Sequence, residues 1–364
     1  MNSLASTAAR AVVAMAALGV PATAQESDDS PLDLTFGTGT ATSVEFYGYL
    51  KFDFITDFGG PLGNTTFGLV GLDTDTDDAT FSATANQTRI GLRTTTPSDF
   101  GDLETQLELD FYGDGASFGT GQAYQPRVRH ATATLGGFRV GKYWTTFMPL
   151  GSYPLTLDFQ GVAGIPFARQ EQLRYTYEAG SFVAEAALED SNNADSGTPV
   201  YIGAVAYDTD PLLLRASALY GKAADGAGNE DDAWGVNLST TVQLGEGTTI
   251  DAAYTVGEGI ASYLVFLGDD LDAAGDAIGQ QAAYLGVSQS LGEKLTVRGI
   301  VGDRENDTGA AAATESLTSV HLNAEYALLE NTSVGAEYFH GERDTFGGDN
   351  YSVDRIQASV QIDF

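Results

Sequence analysis

From Val44 to Asp57 the chain alternates without a break: Phe46, Leu50, Phe52 and Phe54 share one face, Glu45, Tyr47, Lys51 and Asp53 the other. That two-residue period is the signature of a strand with unlike faces. Leu103, Leu107, Leu109 and Phe111 oppose Glu104, Gln106, Glu108 and Asp110 in the same way. The pattern predicts sixteen strands, over 44–57, 81–95, 102–112, 127–135, 137–144, 171–178, 181–190, 199–207, 211–222, 232–243, 248–258, 280–290, 294–303, 316–328, 332–341 and 351–364. Tight turns such as Gly136-Gly137, Ala179-Gly180 and Gly245–Gly247 take turns with long connections at 58–80, 113–126, 145–170, 223–231, 259–279, 304–315 and 342–350. An even strand count with short turns at one end and long loops at the other is the wiring of an outer-membrane barrel.

Charge decides between that barrel and a soluble sandwich. Arg89, Arg93, Arg129, Arg139, Arg174, Arg215, Arg298 and Arg355 all fall opposite their strand's apolar residues. A basic side chain facing lipid at mid-bilayer costs about 2–4 kcal/mol, whereas one facing a wet bore does not. Lys142 and Lys222 break the rule near the outer strand ends, where either they reach headgroups or lipopolysaccharide phosphates or the strand has already bent into its loop. Tyr175, Tyr177, Tyr326 and Phe364 mark inner strand ends and Phe111 and Tyr220 outer ones, as interfacial girdles require. Extending the parity of Arg127 and Arg129 puts Thr132 and Thr134 on the outward face, a small-residue surface suited to a homotrimer.

Composition adds limits. The 364 residues carry 17 basic and 50 acidic side chains, a net charge of −33, and no cysteine. So acidic a balance disfavours nucleic acid, and no disulfide contributes. Arg10, the apolar run Ala11–Val20 and Ala22-Thr23-Ala24 read as a secretory leader over 1–24. A polar lead-in over 25–43 and one barrel domain over 44–364 follow. Ten apolar residues cannot cross a hydrocarbon core about 30 Å thick as a helix, so a membrane protein of this sequence must be a barrel. The acids gather in the long loops, at Asp73, Asp75, Asp77 and Asp78, at Asp225, Glu230, Asp231 and Asp232, and at Asp269, Asp270, Asp272 and Asp276. Asp73–Asp78 begins like a calcium loop but carries Asp78 and Thr84 where glycine and glutamate belong. His130, His321 and His340 have no metal-ligand spacing, no serine context supports a hydrolase at His321 and Asn323, and no cofactor or metal site is expected.

Between Thr145 and Gln170 the alternation stops for a long, apolar, Gly- and Pro-interrupted connection. A connection of that length without periodicity needs a function, and it is expected to fold into the barrel and narrow it. Flanking it are Lys51, Arg89, Arg93, Arg127, Arg129, Arg139, Lys142, Arg169 and Arg174, with Asp158 in the loop and Glu104, Glu108 and Asp110 on the wall as opposing charge. Rings of basic side chains favour anions, and arginine's planar fork matches a carboxylate. Pairing of these arginines with neighbouring acids to stiffen the wall is the competing role.

Three stretches, RIGLRTTTPSDFGDLETQLELDFYG, PRVRHATATLGGFRVGKYWTTFM and PLTLDFQGVAGIPFARQEQLRYTY, taken in order between Arg89 and Tyr177, resemble the central motifs of DcaP-like outer-membrane porins. The resemblance implies a sixteen-stranded, all-β, antiparallel transmembrane barrel that is trimeric and admits dicarboxylates and related aromatic acids. Pro149 and Leu155 stand where that pattern has acidic residues, and Lys142 where it has glutamine. The resulting expectation is passive entry of small organic anions. A general or cation-favouring porin, or a barrel serving as an adhesin or anchor, are the alternatives.

Overall fold

A chain that places charge at every second strand position and phenylalanine between has one way to satisfy both in a membrane, which is to roll the sheet so that the charges face inward. The structure, a computed structural model, describes residues 32–35, 41–114, 123–191 and 196–364. The expected leader lies outside those residues. The strands are β1 (Leu32–Thr35), β2 (Ala41–Gly59), β3 (Thr76–Thr84), β4 (Arg89–Thr96), β5 (Leu103–Asp110), β6 (Arg127–Leu135), β7 (Phe138–Trp144), β8 (Arg169–Ala179), β9 (Phe182–Glu189), β10 (Val200–Thr209), β11 (Leu212–Ala224), β12 (Glu230–Leu244), β13 (Thr248–Glu258), β14 (Gly279–Leu291), β15 (Leu295–Asn306), β16 (Thr314–Leu329), β17 (Thr332–Thr345) and β18 (Asn350–Asp363).

Every neighbour pairing is antiparallel, and β18 returns to β2 with Asp354 opposite Phe58 through Asp363 opposite Tyr49. Closure is completed below that register, where Gly48 and Phe364 exchange backbone hydrogen bonds of 3.1 and 3.0 Å. The barrel has sixteen strands, because β3 and β4 are two parts of one and the four-residue β1 only extends the start of β2. β3 pairs with the upper half of β2 and β4 with the lower half. Asn86 makes the break: its side-chain amide donates to the carbonyls of Phe111 and Ala123 at 2.6 and 2.7 Å, and the Thr88 N–H turns back to Ala85. Part of the expected lead-in is also ordered, with Leu32–Thr35 pairing against Ala41–Val44.

Outside, Phe46 is 69% exposed and Phe54 49% while Lys51, Asp53 and Asp57 on the same strand are buried. The apolar face looks to lipid. One parity expectation fails. The β5–β6 register slips between Glu108 and Leu109, so that Arg129 is an extra residue on β6. A bulge of this kind reverses every side chain beyond it. Arg129 and His130 are both buried, and Thr134 accepts from the bore-facing Arg139 Nε at 3.2 Å. Thr132 and Thr134 therefore face inward, and Ala131 and Ala133 take the outward face.

The bore is not filled by one loop alone. The connections expected to be external at 58–80 and 259–279 send apolar segments inside. Leu62, Leu69 and Leu72 from the first meet Val265 and Phe266 from the second, together with Ala163, Leu317, Phe339 and Val353. Short 3-10 turns at Thr66–Gly71 and Ala261–Tyr263 carry them. The mechanism is ordinary burial of apolar area, and its signal was present in the sequence as Leu and Phe in loops that should otherwise be polar.

Candidate functional site

The connection from Thr145 to Ala168 leaves β7, runs round the inner wall and returns to β8. Its backbone polar groups cannot stay unpaired once buried, and the wall supplies partners strand by strand. Glu189 of β9 accepts from the Thr146 N–H at 2.7 Å, and Ser217 of β11 donates to Phe147 O at 3.1 Å. Thr241 of β12 donates to Gly151 O at 2.7 Å and Tyr284 of β14 to Ser152 O at 2.8 Å. On β16, Asn323 donates to Leu155 O at 3.1 Å. Returning, the loop hands the Ala163 N–H to Ser319 at 2.8 Å and closes its neck with Thr145 N–H to Ala168 O at 3.0 Å. Glycine permits the closest approach, since a Cβ at Gly302 would lie 2.1 Å from Ala163 O.

The turn of the loop is held hardest. Glu337 of β17 accepts from the Leu157 N–H at 2.9 Å, the Asp158 N–H at 3.2 Å and Asn323 Nδ2 at 3.0 Å, and His321 Nδ1 lies 3.2 Å from it. Asp158 accepts from Thr66 Oγ1 at 2.7 Å and the Gln160 N–H at 2.8 Å, and pairs with Arg355 at 3.3 Å. Arg355 in turn clamps Asp57 with Nε and Nη2 at 2.6 and 2.9 Å. Burial pushes the Asp158 carboxyl above its ordinary value, against the opposing pull of Arg355 and Thr66. Lys51 lies under this turn, donating to Leu157 O at 2.5 Å and pairing with Asp53 at 3.3 Å. Lys51 and Asp158, both singled out from the sequence, are thus buried in the anchor of the loop.

Across the bore stands a different wall. Toward β4–β8 the loop presents rings: Phe159 meets Tyr112 at 4.7 Å, and Phe167 packs on Trp144 at 4.8 Å. There β4 carries Arg89 and Arg93, β6 Arg127 and Arg129, β7 Arg139, and β8 Arg169 and Arg174. Arg129 is fully buried between Glu108 at 2.7 Å and Asp110 at 3.1 Å. Arg127 grips both oxygens of Asp110 with Nε and Nη2 at 2.9 and 2.6 Å, sharing Oδ2 with Arg129. Arg174 is buried against Gln172 and Glu185. The accessible guanidiniums are instead Arg89, Arg93 and Arg127, whose side chains are 22, 24 and 26% exposed, with Arg139 and Arg169 half-buried. Arg89 has Glu108 at 4.0 Å and the Tyr49 ring at 5.2 Å. Arg169 lies over the Trp144 ring at 4.4 Å and has a buried, unpartnered Nη1. Glu104 is exposed near the opposite end of β5 from this cluster.

A model of the DcaP outer membrane protein family matches residues 24–364. The chain belongs to the DcaP outer membrane protein family. Its fold matches the solved outer-membrane channel DcaP of Acinetobacter baumannii with a TM-score of 0.80 at 23% identity, over 91% of this chain and 99% of that one. An anion-selective porin from Comamonas acidovorans matches at 0.64 and 18% identity, over 89% and 100% of the two chains. The trimer form of Vibrio cholerae OmpT matches at 0.57 and 17%, over 89% and 99%. Among curated protein sequences none matches. At these identities the structural likenesses are of fold, and that fold is the porin barrel of the outer membrane.

In this DcaP-family barrel the anchors of the loop escaped sequence reasoning. Glu337, His321, Asn323, Ser319, Tyr284 and Thr241 each look like an unremarkable inward polar residue, and only closure brings them under the loop. The two outward lysines have carboxylate partners, Lys142 with Glu171 at 3.1 Å and Lys222 with Asp232 at 2.7 Å. Among the described residues no group of histidines and acids is arranged to hold a metal ion.

Proposed function

We propose that this porin is a passive channel whose narrowest passage lies between loop 145–168 and the arginine wall, and that it favours small organic anions, dicarboxylates among them. One observation carries the reading. On β4–β8 four guanidiniums, Arg89, Arg127, Arg129 and Arg169, gather around two carboxylates, Glu108 and Asp110, with Arg139 further along the wall beside Thr134, in a chain whose net charge is −33. Surplus positive charge kept at a constriction attracts anions and replaces hydration they shed. The acidic outer loops act at longer range, where salt screens beyond about 8 Å. Anions are thus repelled weakly at the rim and attracted strongly at the narrowing.

The test is the reversal potential of the purified channel in a planar bilayer under a salt gradient, followed by block of single-channel current with succinate or phthalate. A chloride preference, with block weakened in Arg89→Ala and Arg139→Ala, supports the reading. A potassium preference refutes it. Absence of any conductance from folded barrels would favour an anchor or adhesin instead. The chain is also proposed to assemble as a homotrimer through the small outward residues Thr94, Thr105, Ala131 and Ala133, which native mass spectrometry in detergent tests directly. Residues 1–24 are proposed as a cleaved leader, and lipopolysaccharide as the neighbour of Lys142 and Lys222 at the outer rim.

A further inference from the structure

The arginines of this barrel are held in two ways, by carboxylates and carbonyls or by the faces of aromatic rings. Beneath and beside the loop, each is fixed by a carboxylate or by backbone carbonyls: Arg355 by Asp57 and Asp158, Arg215 by Glu185, Arg298 by Glu325, Arg304 by the carbonyls of Val265 and Leu267. On the open wall Arg127 and Arg129 share Asp110 and Glu108, while four others lie over aromatic rings. Arg93 is 3.8 Å from the centroid of Tyr47, Arg139 4.2 Å from Tyr143, Arg169 4.4 Å from Trp144 and Arg89 5.2 Å from Tyr49.

The difference has an electrostatic consequence. A carboxylate immobilises a guanidinium and cancels its charge. A ring immobilises it through the quadrupole of its face and carries no net charge, so the in-plane N–H edges stay free to bond a passing carboxylate. We propose that Tyr47, Tyr49, Tyr143 and Trp144 are positioning residues for anion passage, mounts that fix bore-facing arginines and add no negative charge of their own. The proposal rests on the anion preference argued above and says which uncharged side chains create it.

The best-built mount is at Tyr47. A Cβ on Gly91 would lie 2.2 Å from the ring's Cζ, so this ring lies flat on the bare backbone of β4. Its hydroxyl donates to Glu108 at 3.1 Å and accepts from Gln106 at 2.7 Å, which fixes the ring's rotation. Arg93, two residues along the strand and on the same face, then lands on it, with its Nη1 3.5 Å from the exposed carboxylate of Glu45. Glycine is needed at position 91 because any side chain would lift the ring and with it the guanidinium. The mount at Tyr143 is simpler, with Arg139 also donating from Nε to Thr134 Oγ1 at 3.2 Å.

The test uses the whole protein in planar bilayers under a potassium chloride gradient, comparing wild type with Tyr143→Phe, Tyr143→Leu and Gly91→Ala, each checked for a heat-modifiable barrel. Tyr143→Phe keeps the ring and should reproduce the wild-type reversal potential. Tyr143→Leu and Gly91→Ala, which alter no charge, should lower the chloride-to-potassium permeability ratio about two- to fivefold. Equal reversal potentials for wild type and Tyr143→Leu, or equal shifts for the Phe and Leu variants, would overturn the proposal. A wild-type channel that prefers potassium would defeat the anion reading alone, because the difference between Tyr143→Phe and Tyr143→Leu still reports the mount. Should Gly91→Ala fail to fold, the Tyr143 pair decides.

Discussion

Replacing Glu337 by alanine should release the constriction loop while leaving the barrel standing. The carboxylate is 2% exposed and receives the backbone N–H groups of both Leu157 and Asp158. A hydrogen bond to a charged acceptor nets about 1.5–3 kcal/mol, so losing two costs the docked loop about 3–6 kcal/mol. At about 1.4 kcal/mol per tenfold, the docked-to-released ratio falls by roughly a hundredfold or more. Asn323 loses an acceptor as well. The strand itself should survive, because the ladders of β17 to β16 and β18 are backbone bonds that the substitution does not touch. Single-channel recording should show higher and noisier conductance in Glu337→Ala, with Glu337→Gln intermediate because its amide keeps one accepting oxygen. Unchanged conductance and noise in a correctly folded Glu337→Ala barrel would mean that the anchor is not what fixes the loop, and the reasoning would fail.

Three other outcomes follow from the same geometry. Arg355→Met leaves Asp57 and Asp158 buried without their cation, which should destabilise by about 3–5 kcal/mol; a thermal midpoint equal to wild type would contradict it. Because β6 is bulged at Arg129, Thr132→Trp should narrow the channel and lower conductance while Ala133→Trp should not, and the opposite order would show that the strand runs unbulged. Asp158 is an acid whose folded-state value is raised by burial, so the folded protein binds that proton more tightly than the unfolded chain does. The contribution is therefore unfavourable at neutral pH and is relieved as pH falls through the folded value towards about 3.9, the ordinary carboxylate value. Thermal melts of wild type against Asp158→Asn should show the wild type gaining on the variant across that window, and a loss would refute the burial argument.

How much could be read beforehand depended on range. Strand identity, face and order come from local alternation, and an inward arginine such as Arg139 or Arg355 was legible because lipid tolerates no other placement. The loop at 145–168 announced itself by its length and apolar content, as did the central motifs between Arg89 and Tyr177. In loops 58–80 and 259–279 acids such as Asp73 and Asp269 stay at the surface, while Leu and Phe in the same loops turn inward, which their mixed composition concealed.

Periodicity together with the parity of the charges determined that this chain closes into a membrane barrel, since the rule that every backbone group must be bonded and every charge kept from lipid acts residue by residue. Which arginines keep their charge free was decided only by closure. Tyr47 and Gly91, Glu337 and Leu157, and Arg355 and Asp158 are far apart in sequence, and a single bulge at Arg129 reverses the faces beyond it. Contacts of that range leave no periodic trace, so the electrostatics of the passage belong to the tertiary structure.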